Sequence, residues 1–372
     1  MINAKVPSNF DSKFKNKTVL VTGHTGFKGS WLTAWLLKLG ANVVGIALDP
    51  STEPSHFLSI ELSKRIRDLR IDIRDRDLLE KIVTEIKPDF VFHLAAQAIV
   101  RRSYENPVET WQTNVMGTLN ILESLRKLNN ACSAVVITSD KCYKNIEKSE
   151  GYIESDELGG FDPYSGSKGA AEFILRSYTK SYFLNEQSPI RIASARAGNV
   201  IGGGDWAPDR IIPDCVRCWS QNDLVQLRSP HATRPWQHVL EPLSGYLTLA
   251  LALNRDPKLH GEAFNFGPQP QEEHSVLDLV KEMSVYWDKI RWEDVSGVPN
   301  EFHESGLLKL NCNKALDELK WRATMRFEKT VQLTAEWYQA FYMSTEQIFN
   351  LTNRQIDQYT QLAQEIGLEW AQ

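Results

Sequence analysis

The sequence predicts an α/β protein: a doubly wound parallel sheet with a second, smaller mixed α/β domain attached. Three observations predict it. Short runs rich in β-branched residues alternate with helical patterns and lack polar alternation, as strands covered on both faces do. The first run opens into three glycines at a spacing of three residues, followed by a helix. After Ala197 the texture changes, with Gly and Pro clustering in GNVIGGGDWAPDRIIPD and aromatics becoming frequent.

Residues 18–22 (TVLVT) read as the first strand, 31–39 as the helix behind it, and 43–47 as the second strand. Residues 90–94 (FVFHL) follow a helix that ends before Pro88, since the residue before a proline avoids helical backbone. Residues 113–128 form a long amphipathic helix, 134–138 (AVVIT) a buried strand, 163–181 a helix and 191–195 a strand. Residues 1–197 therefore make the large domain, to which 235–266 return through a helix at 240–253 and a strand at 263–266. Residues 198–234 and 267–327 make the smaller domain, and 328–372 an amphipathic helical tail.

A length of 372 residues with 42% apolar and 24% charged side chains is that of an ordinary globular chain. A net charge of −5 gives no basic field for nucleic acid or anionic membrane. The opening stretch, residues 1–17, lacks the apolar core of a secretory signal, and the longest apolar run, 246–253, is too short to span a bilayer. Five scattered cysteines, an odd number, fit a reducing cytoplasm. Cys215 and Cys218 form a lone C-x-x-C with no second pair nearby, so they read as one helix face, and no metal is expected.

The glycine run is Gly23-His24-Thr25-Gly26-Phe27-Lys28-Gly29. Glycine permits the tight turn, lets backbone approach a pyrophosphate, and lets helix and strand pack closely. The helix N-terminus behind it offers free N–H groups to phosphates. With a strand before and a helix after, this is a Rossmann-type dinucleotide site, and residues 1–197 become its domain. Asp49 lies 20 residues after Gly29, where a carboxylate accepts from a ribose 2′-OH and repels a 2′-phosphate, favouring NAD over NADP. A solvated turn Asp before Pro50 is the plain alternative. Asp72 and Ile73, after the third strand, are placed to meet adenine.

Tyr164 and Lys168 share one helical face at i and i+4. A phenol ionises near pH 10, so a nearby ammonium and a positive nicotinamide are needed to favour the phenolate, which can then accept a proton from an alcohol. Ser139, Asp140 and Lys141 follow the strand AVVIT, at the carboxyl edge where parallel sheets bind ligands. An ordinary polar turn would look the same by spacing alone.

Together TGHTGFKG, DIRD, HLAAQA, NVMGTLN, the Tyr164/Lys168 pair, RAGNVIGGG and RPWQHV resemble the extended short-chain dehydrogenase/reductase family over residues 17–327. Within it the chain is most similar to nucleotide-sugar 4,6-dehydratases, which carry a hydroxyl–acid–base triplet at the position of Ser139-Asp140-Lys141. Many hexose dehydratases have Thr-Asp-Glu there, so Lys141 implies an amine base in place of a carboxylate. The resemblance implies that Tyr164, assisted by Ser139, deprotonates the sugar 4-OH as hydride leaves C4 for NAD. Lys141 then removes the C5 proton, Asp140 protonates the departing 6-OH, and hydride returns to C6. It adds Leu94, Ala95 and Ala96 to the cofactor site, and assigns Asn199, Arg210 and Arg234 to the nucleotide sugar. GHTGFKGSWL, TSDKCY and GGGDWAPDRIIPD together imply CDP-glucose as substrate. Two residues depart from the family, His24 and Lys28, both expected beside the pyrophosphate.

A nucleotide-sugar 4-epimerase shares the fold and the Tyr/Lys pair but needs no acid and base for elimination, so Asp140 and Lys141 count against it. A UDP-N-acetylhexosamine 4,6-dehydratase can also carry Asp-Lys. A non-catalytic NAD-sensing protein would be expected to lose Tyr164 or Lys168. Trp206, Trp219 and Trp236 are read chiefly as core. Relatives pair through the helices at 113–128 and 163–181, implying a homodimer or homotetramer.

Overall fold

A computed structural model describes residues 10–185, 187–269, 273–287, 290–296, 307–344 and 346–372. Residues 1–9 of the polar opening stretch, and 270–272, 288–289 and 297–306 of the expected smaller domain, lie outside the described residues. Strand β1 (Thr18–Thr22) leads into α1 (Phe27–Lys38) and β2 (Asn42–Ala47). Then come β3 (Arg67–Arg70), α2 (Arg76–Ile86), β4 (Phe90–His93), α3 (Gly117–Arg126), β5 (Cys132–Ile137), α4 (Pro163–Tyr178) and β6 (Ile190–Arg196). After an excursion, α5 (Leu240–Leu253) and β7 (Ala263–Asn265) return to the sheet.

The seven strands lie in the order β7-β6-β5-β4-β1-β2-β3, every neighbouring pair parallel. Val19 pairs with Val43 on one side and Phe90 on the other, so the order reverses at β1. A crevice forms outside the carboxyl ends of strands at such a switch point. Successive side chains serve opposite faces. Val19, Val21, Phe92 and Val135 join Trp31 and Trp35 of α1 and Leu243 of α5 in one core. Leu20, Ile46, Val91 and Val136 join Leu79 of α2 and Ile121 of α3 in the other. With both faces covered, no strand needs polar alternation.

Two helix starts differ from expectation. Helix α1 begins at Phe27, four residues before the apolar pattern, because Gly26 already ends the turn as its N-cap. The helix expected at 113–128 begins at Pro107 and passes through a π-turn, Gln112–Met116, before α3. The wider turn sets Asn114 inward, where it is buried.

The last two helices, α6 (Phe327–Met343) and α7 (Ile348–Glu365), share the α1 core. A Cβ on Gly203 would lie 2.0 Å from Trp337 Cγ, so the glycine run after β6 lets α6 approach. His56 hydrogen-bonds Ser30 Oγ at 2.8 Å and Thr352 Oγ1 at 3.1 Å, joining α1 to α7. Glu241 of α5 accepts from the Thr324 and Met325 N–H groups and from Tyr359 Oη at 2.8 Å.

Burial outweighs these three donors and pushes the Glu241 carboxyl up from 4.5 to about 7. A carboxyl raised on folding contributes stability that is fully present below its unfolded pKa and lost as pH rises through about 7. We predict that the unfolding free energy falls by on the order of 3 kcal/mol between pH 4.5 and 7.5 relative to Glu241→Gln, in which this titration is absent. Parallel pH slopes in denaturant titrations of the two proteins would contradict it.

Candidate active site

A cavity of about 750 Å³ opens at the carboxyl ends of β1, β4, β5 and β6, and every residue assigned from the sequence to catalysis, cofactor or substrate lines it. Its floor begins with the glycine loop. Gly23 has φ +77°, and a Cβ there would lie 2.7 Å from Ala95 N; a Cβ on Gly29 would lie 2.1 Å from Gly23 O. Both positions need glycine, one for conformation and close approach, the other for close approach alone. Gly26 is exposed and caps α1 with no side-chain hydrogen bond, leaving the first-turn N–H groups facing the cavity.

His24 does not stand beside the expected pyrophosphate position. Its ring is fully buried on the far side of the loop, with Nε2 2.7 Å from Asp68 Oδ1, and occupies the space that a Cβ on Gly45 would need. Burial lowers its pKa despite the Asp68 carboxylate. Lys28 does line the cavity. Burial, then the charges of Arg210 and Lys168, lowers its amine to about 8, against the opposing pull of Asp140.

Thr25 Oγ1 donates to Leu48 O at 3.0 Å and so ties the loop to the end of β2. Asp49 stands at the cavity edge, largely exposed, with Arg70 Nε 3.5 Å away. Asp72 holds Arg74 through both carboxylate oxygens, which lowers its pKa. Ile73 is buried beneath Gly117. Thr22 Oγ1 hydrogen-bonds His93 and accepts from Ala95 N at 3.2 Å, fixing the Leu94-Ala95-Ala96 wall. Asn114 accepts from Gln97 N and donates to Gln97 O and Ser167 Oγ, joining this wall to α4. Asn114 was not assigned a role from the sequence, although NVMGTLN contains it; a buried Asn inside an otherwise apolar helical pattern was the available signal.

Just past β5, Ser139 caps a single helical turn over Asp140–Cys142. Its Oγ donates to Asp140 Oδ1 at 2.9 Å and accepts from Lys141 N at 3.2 Å. Asp140 is buried, and a Cβ on Gly198 would lie 1.8 Å from its Oδ2, so the glycine of RAGNV is the space for that carboxylate. Lys141 is exposed, at the open side of the turn.

Asp162 caps α4 by accepting from Ser165 N at 2.9 Å, with Pro163 at the first helical position. This start sets Tyr164 and Lys168 side by side facing β5. Burial pushes the Tyr164 phenol up to about 12, against the lowering influence of the Ser139 hydroxyl and the charge of Arg210. The lowering expected from positive charge is thus outweighed by desolvation. Lys168 Nζ donates to Ile137 O at 3.4 Å, and burial lowers it to about 8.

Asn199 adopts φ +52° at the cavity wall. Arg210 is held by Asp205 at 2.6 Å and lies close enough to Tyr164 and Lys28 to act on both electrostatically. Arg234 Nη1 donates to its neighbour's carbonyl, Thr233 O, at 2.8 Å. Trp206 packs among Trp337, Tyr338 and Phe341, and Trp219 against Trp287, while Trp236 also meets the cavity. Cys215 and Cys218 lie on the helix Ile211–Ser220, with Cys215 buried.

Residues 20–334 match the family described as GDP-mannose 4,6 dehydratase. The chain is 44% identical over 350 residues to a CDP-glucose 4,6-dehydratase of Salmonella typhimurium, covering 93% of this chain and 97% of that protein. A UDP-glucose-4-epimerase of Stenotrophomonas maltophila, solved with NAD and formylated UDP-arabinopyranose, superposes with a TM-score of 0.75 at 22% identity, over 88% of this chain and 99% of that one. A dTDP-glucose 4,6-dehydratase of Bacillus anthracis in complex with NAD gives 0.69 at 23% identity, over 87% and 96%. At such identities the two structures establish the fold, while the match along most of the sequence establishes more: this chain belongs to the GDP-mannose 4,6 dehydratase family.

Proposed function

We propose that the chain catalyses NAD-dependent 4,6-dehydration of CDP-glucose to CDP-4-keto-6-deoxyglucose. One observation carries the reaction: Ser139, Asp140 and Lys141 line the same cavity as Tyr164, whose phenol the Ser139 hydroxyl and the Asp140 charge both influence. Elimination needs an acid for the 6-oxygen and a base for C5, and this turn offers both. The 44% identity to a CDP-glucose enzyme supports the choice of cytosine.

The glycine cradle fits a dinucleotide, because Gly26 leaves the α1 N–H groups uncapped and facing the cavity. Gly23, Thr25, Gly26, Phe27, Lys28 and Gly29 would hold its pyrophosphate, Asp49 a ribose, Asp72 and Ile73 the adenine, and Leu94 to Ala96 the opposite wall. Bound NAD supplies the hydride acceptor for C4 and, once reduced, the donor for C6. Tyr164 takes the 4-OH proton while Ser139 steadies that oxygen. The ketone acidifies C5, whose proton Lys141 accepts, and Lys141 gives C5 a proton again when hydride reaches C6. Asp140 gives its proton to the leaving 6-OH, which departs as water. Positive charge from Lys168 and Arg210 favours loss of the Tyr164 proton. Asn199, Arg210 and Arg234 would hold the nucleotide sugar, Arg234 as a phosphate partner.

All five cysteines are free thiols, which supports a reducing, cytoplasmic setting. Val108, Met116, Phe173 and Tyr182 are exposed apolar side chains on the helices around α3 and α4, which supports pairing with a second copy through them.

Four expectations follow from this reading. CDP-, UDP-, dTDP- and GDP-glucose assayed with NAD or NADP for 4-keto sugar should give a kcat/KM at least about tenfold higher for CDP-glucose, the cost to the others being an unpaired buried acceptor. NAD should be preferred, and Asp49→Ala should narrow that preference because Arg70 is left facing a 2′-phosphate. Preference for another base would refute the substrate and leave the dehydration standing; equal use of NADP by the parent would refute the role of Asp49. In Lys141→Met, deuterium from solvent should enter C5 of the product at least about 10²-fold more slowly, the usual worth of a general base; exchange at the parental rate would remove Lys141 from that role. In sedimentation the protein should run as a dimer or larger and shift toward monomer in Val108→Glu/Met116→Glu, whereas a monomeric parent would contradict pairing.

A further inference from the structure

Behind the catalytic turn lies an ion pair that the reaction does not use. Glu172 and Arg196 have side chains 5% and 4% exposed. Arg196 Nε donates to Glu172 Oε1 and Nη2 to Oε2, each at 2.9 Å. Thr138 Oγ1 donates to Oε1 at 2.5 Å and Ser194 Oγ to Oε2 at 2.9 Å. The remaining nitrogen, Nη1, donates to Tyr143 Oη at 2.7 Å and Glu154 O at 3.1 Å. Each carboxylate oxygen thus receives two donors.

The partners come from the three segments that carry the site. Thr138 directly precedes Ser139, and Tyr143 closes the same turn two residues after Lys141. Glu172 lies one helical turn beyond Lys168 on α4. Arg196 ends β6, two residues before the Gly198 against which the Asp140 carboxylate packs. A buried ion pair adds little net stability compared with apolar side chains of similar volume, so stability is a weak reason for one here. Its fixed bond lengths, in contrast, leave little freedom between the elements it joins.

We propose that Glu172 and Arg196 are positioning residues: their ion pair, through Thr138 and Tyr143, sets the spacing between the Tyr164/Lys168 helix and the Ser139-Asp140-Lys141 turn. This rests on the catalytic reading of those residues given above. Neither Glu172 nor Arg196 touches the cavity; both act through the segments they clamp. Displacement of a reacting group by about 1 Å can cost about 10²-fold in rate, so the effect belongs in kcat, with binding spared.

The test uses the full chain and CDP-glucose with saturating NAD. Thr138→Val removes one hydroxyl from the clamp without changing its shape, and should lower kcat tenfold or more while KM stays within twofold. Thr138→Ser keeps the hydroxyl and should restore kcat to within threefold of the parent. Glu172→Leu/Arg196→Met replaces the pair by apolar side chains, and should lower kcat a hundredfold while thermal unfolding stays cooperative. A kcat within threefold of the parent in Thr138→Val overturns the proposal, as does loss confined to KM. If the double variant fails to fold, the two Thr138 variants decide alone. Tyr164→Phe measured beside them separates the two ideas: turnover retained there overturns the catalytic reading, whereas turnover retained in Thr138→Val overturns the clamp.

Discussion

With a Cβ on Gly29 lying 2.1 Å from Gly23 O, the chain can pass from β1 into α1 at this distance only without side chains at the crossing. Much of the molecule depends on that approach. It points the N-terminus of α1 at the cavity, with Gly26 as an uncapped entrance. It also packs Trp31 and Trp35 against the sheet, where α5, α6 and α7 complete the core around them. Trp31 reaches far enough to donate to Gly203 O at 2.8 Å, so the first glycine run is tied to the second. The second run in turn admits Trp337, whose ring takes the room a Cβ on Gly203 would fill. The cofactor loop and the C-terminal helices are thus parts of one packing problem.

The cavity built on this frame concentrates charge in little water. Lys28, Lys168 and Arg210 face it, with Asp140 among them. Desolvation lowers both lysines to about 8, while Asp205 keeps Arg210 firmly charged. Below that pH three cations surround the place where anionic ligands are proposed to bind, and each anion that arrives restores the charged form of the lysines. The same desolvation holds Tyr164 protonated in the ligand-free chain. Filling the cavity and readying the phenol are therefore linked through one electrostatic balance.

The sheet was legible because its strands are mostly apolar on both faces, and all but one of them showed as short apolar runs. The exception, β3, is a four-residue edge strand reading RDLR, with a charged residue at three positions and no apolar run to find. The site residues were legible as motifs, and all of them meet in one cavity. Side-chain direction was not. His24 follows a glycine at positive φ, which turns its ring beneath the loop toward Gly45, and nothing in the order of residues announces that. Lys141 shares a turn with the buried Asp140 yet stands exposed. The Glu172–Arg196 pair was hidden for a related reason: its members are 24 residues apart and meet only because α4 packs on β5 and β6.

The contrast between Asp140 and Lys141 bears on how one fold serves different reactions. Tyr164 and Lys168 are fixed by the start of α4, a feature of helix capping that any oxidation at C4 could use. In the proposed reaction, the fate of the resulting ketone falls to the single turn after β5. There two neighbouring residues face different environments, Asp140 enclosed beneath Gly198 and Lys141 open to the cavity mouth. In the proposed elimination the enclosed carboxyl serves the 6-oxygen and the open amine serves C5. A carboxylate base in place of Lys141 would keep one negative charge on the turn throughout, on the base before the elimination and on Asp140 after it. An amine beside a carboxyl instead lets the proposed elimination start from a neutral acid and a neutral base and end, once each has moved its proton, with an anion and a cation that attract each other.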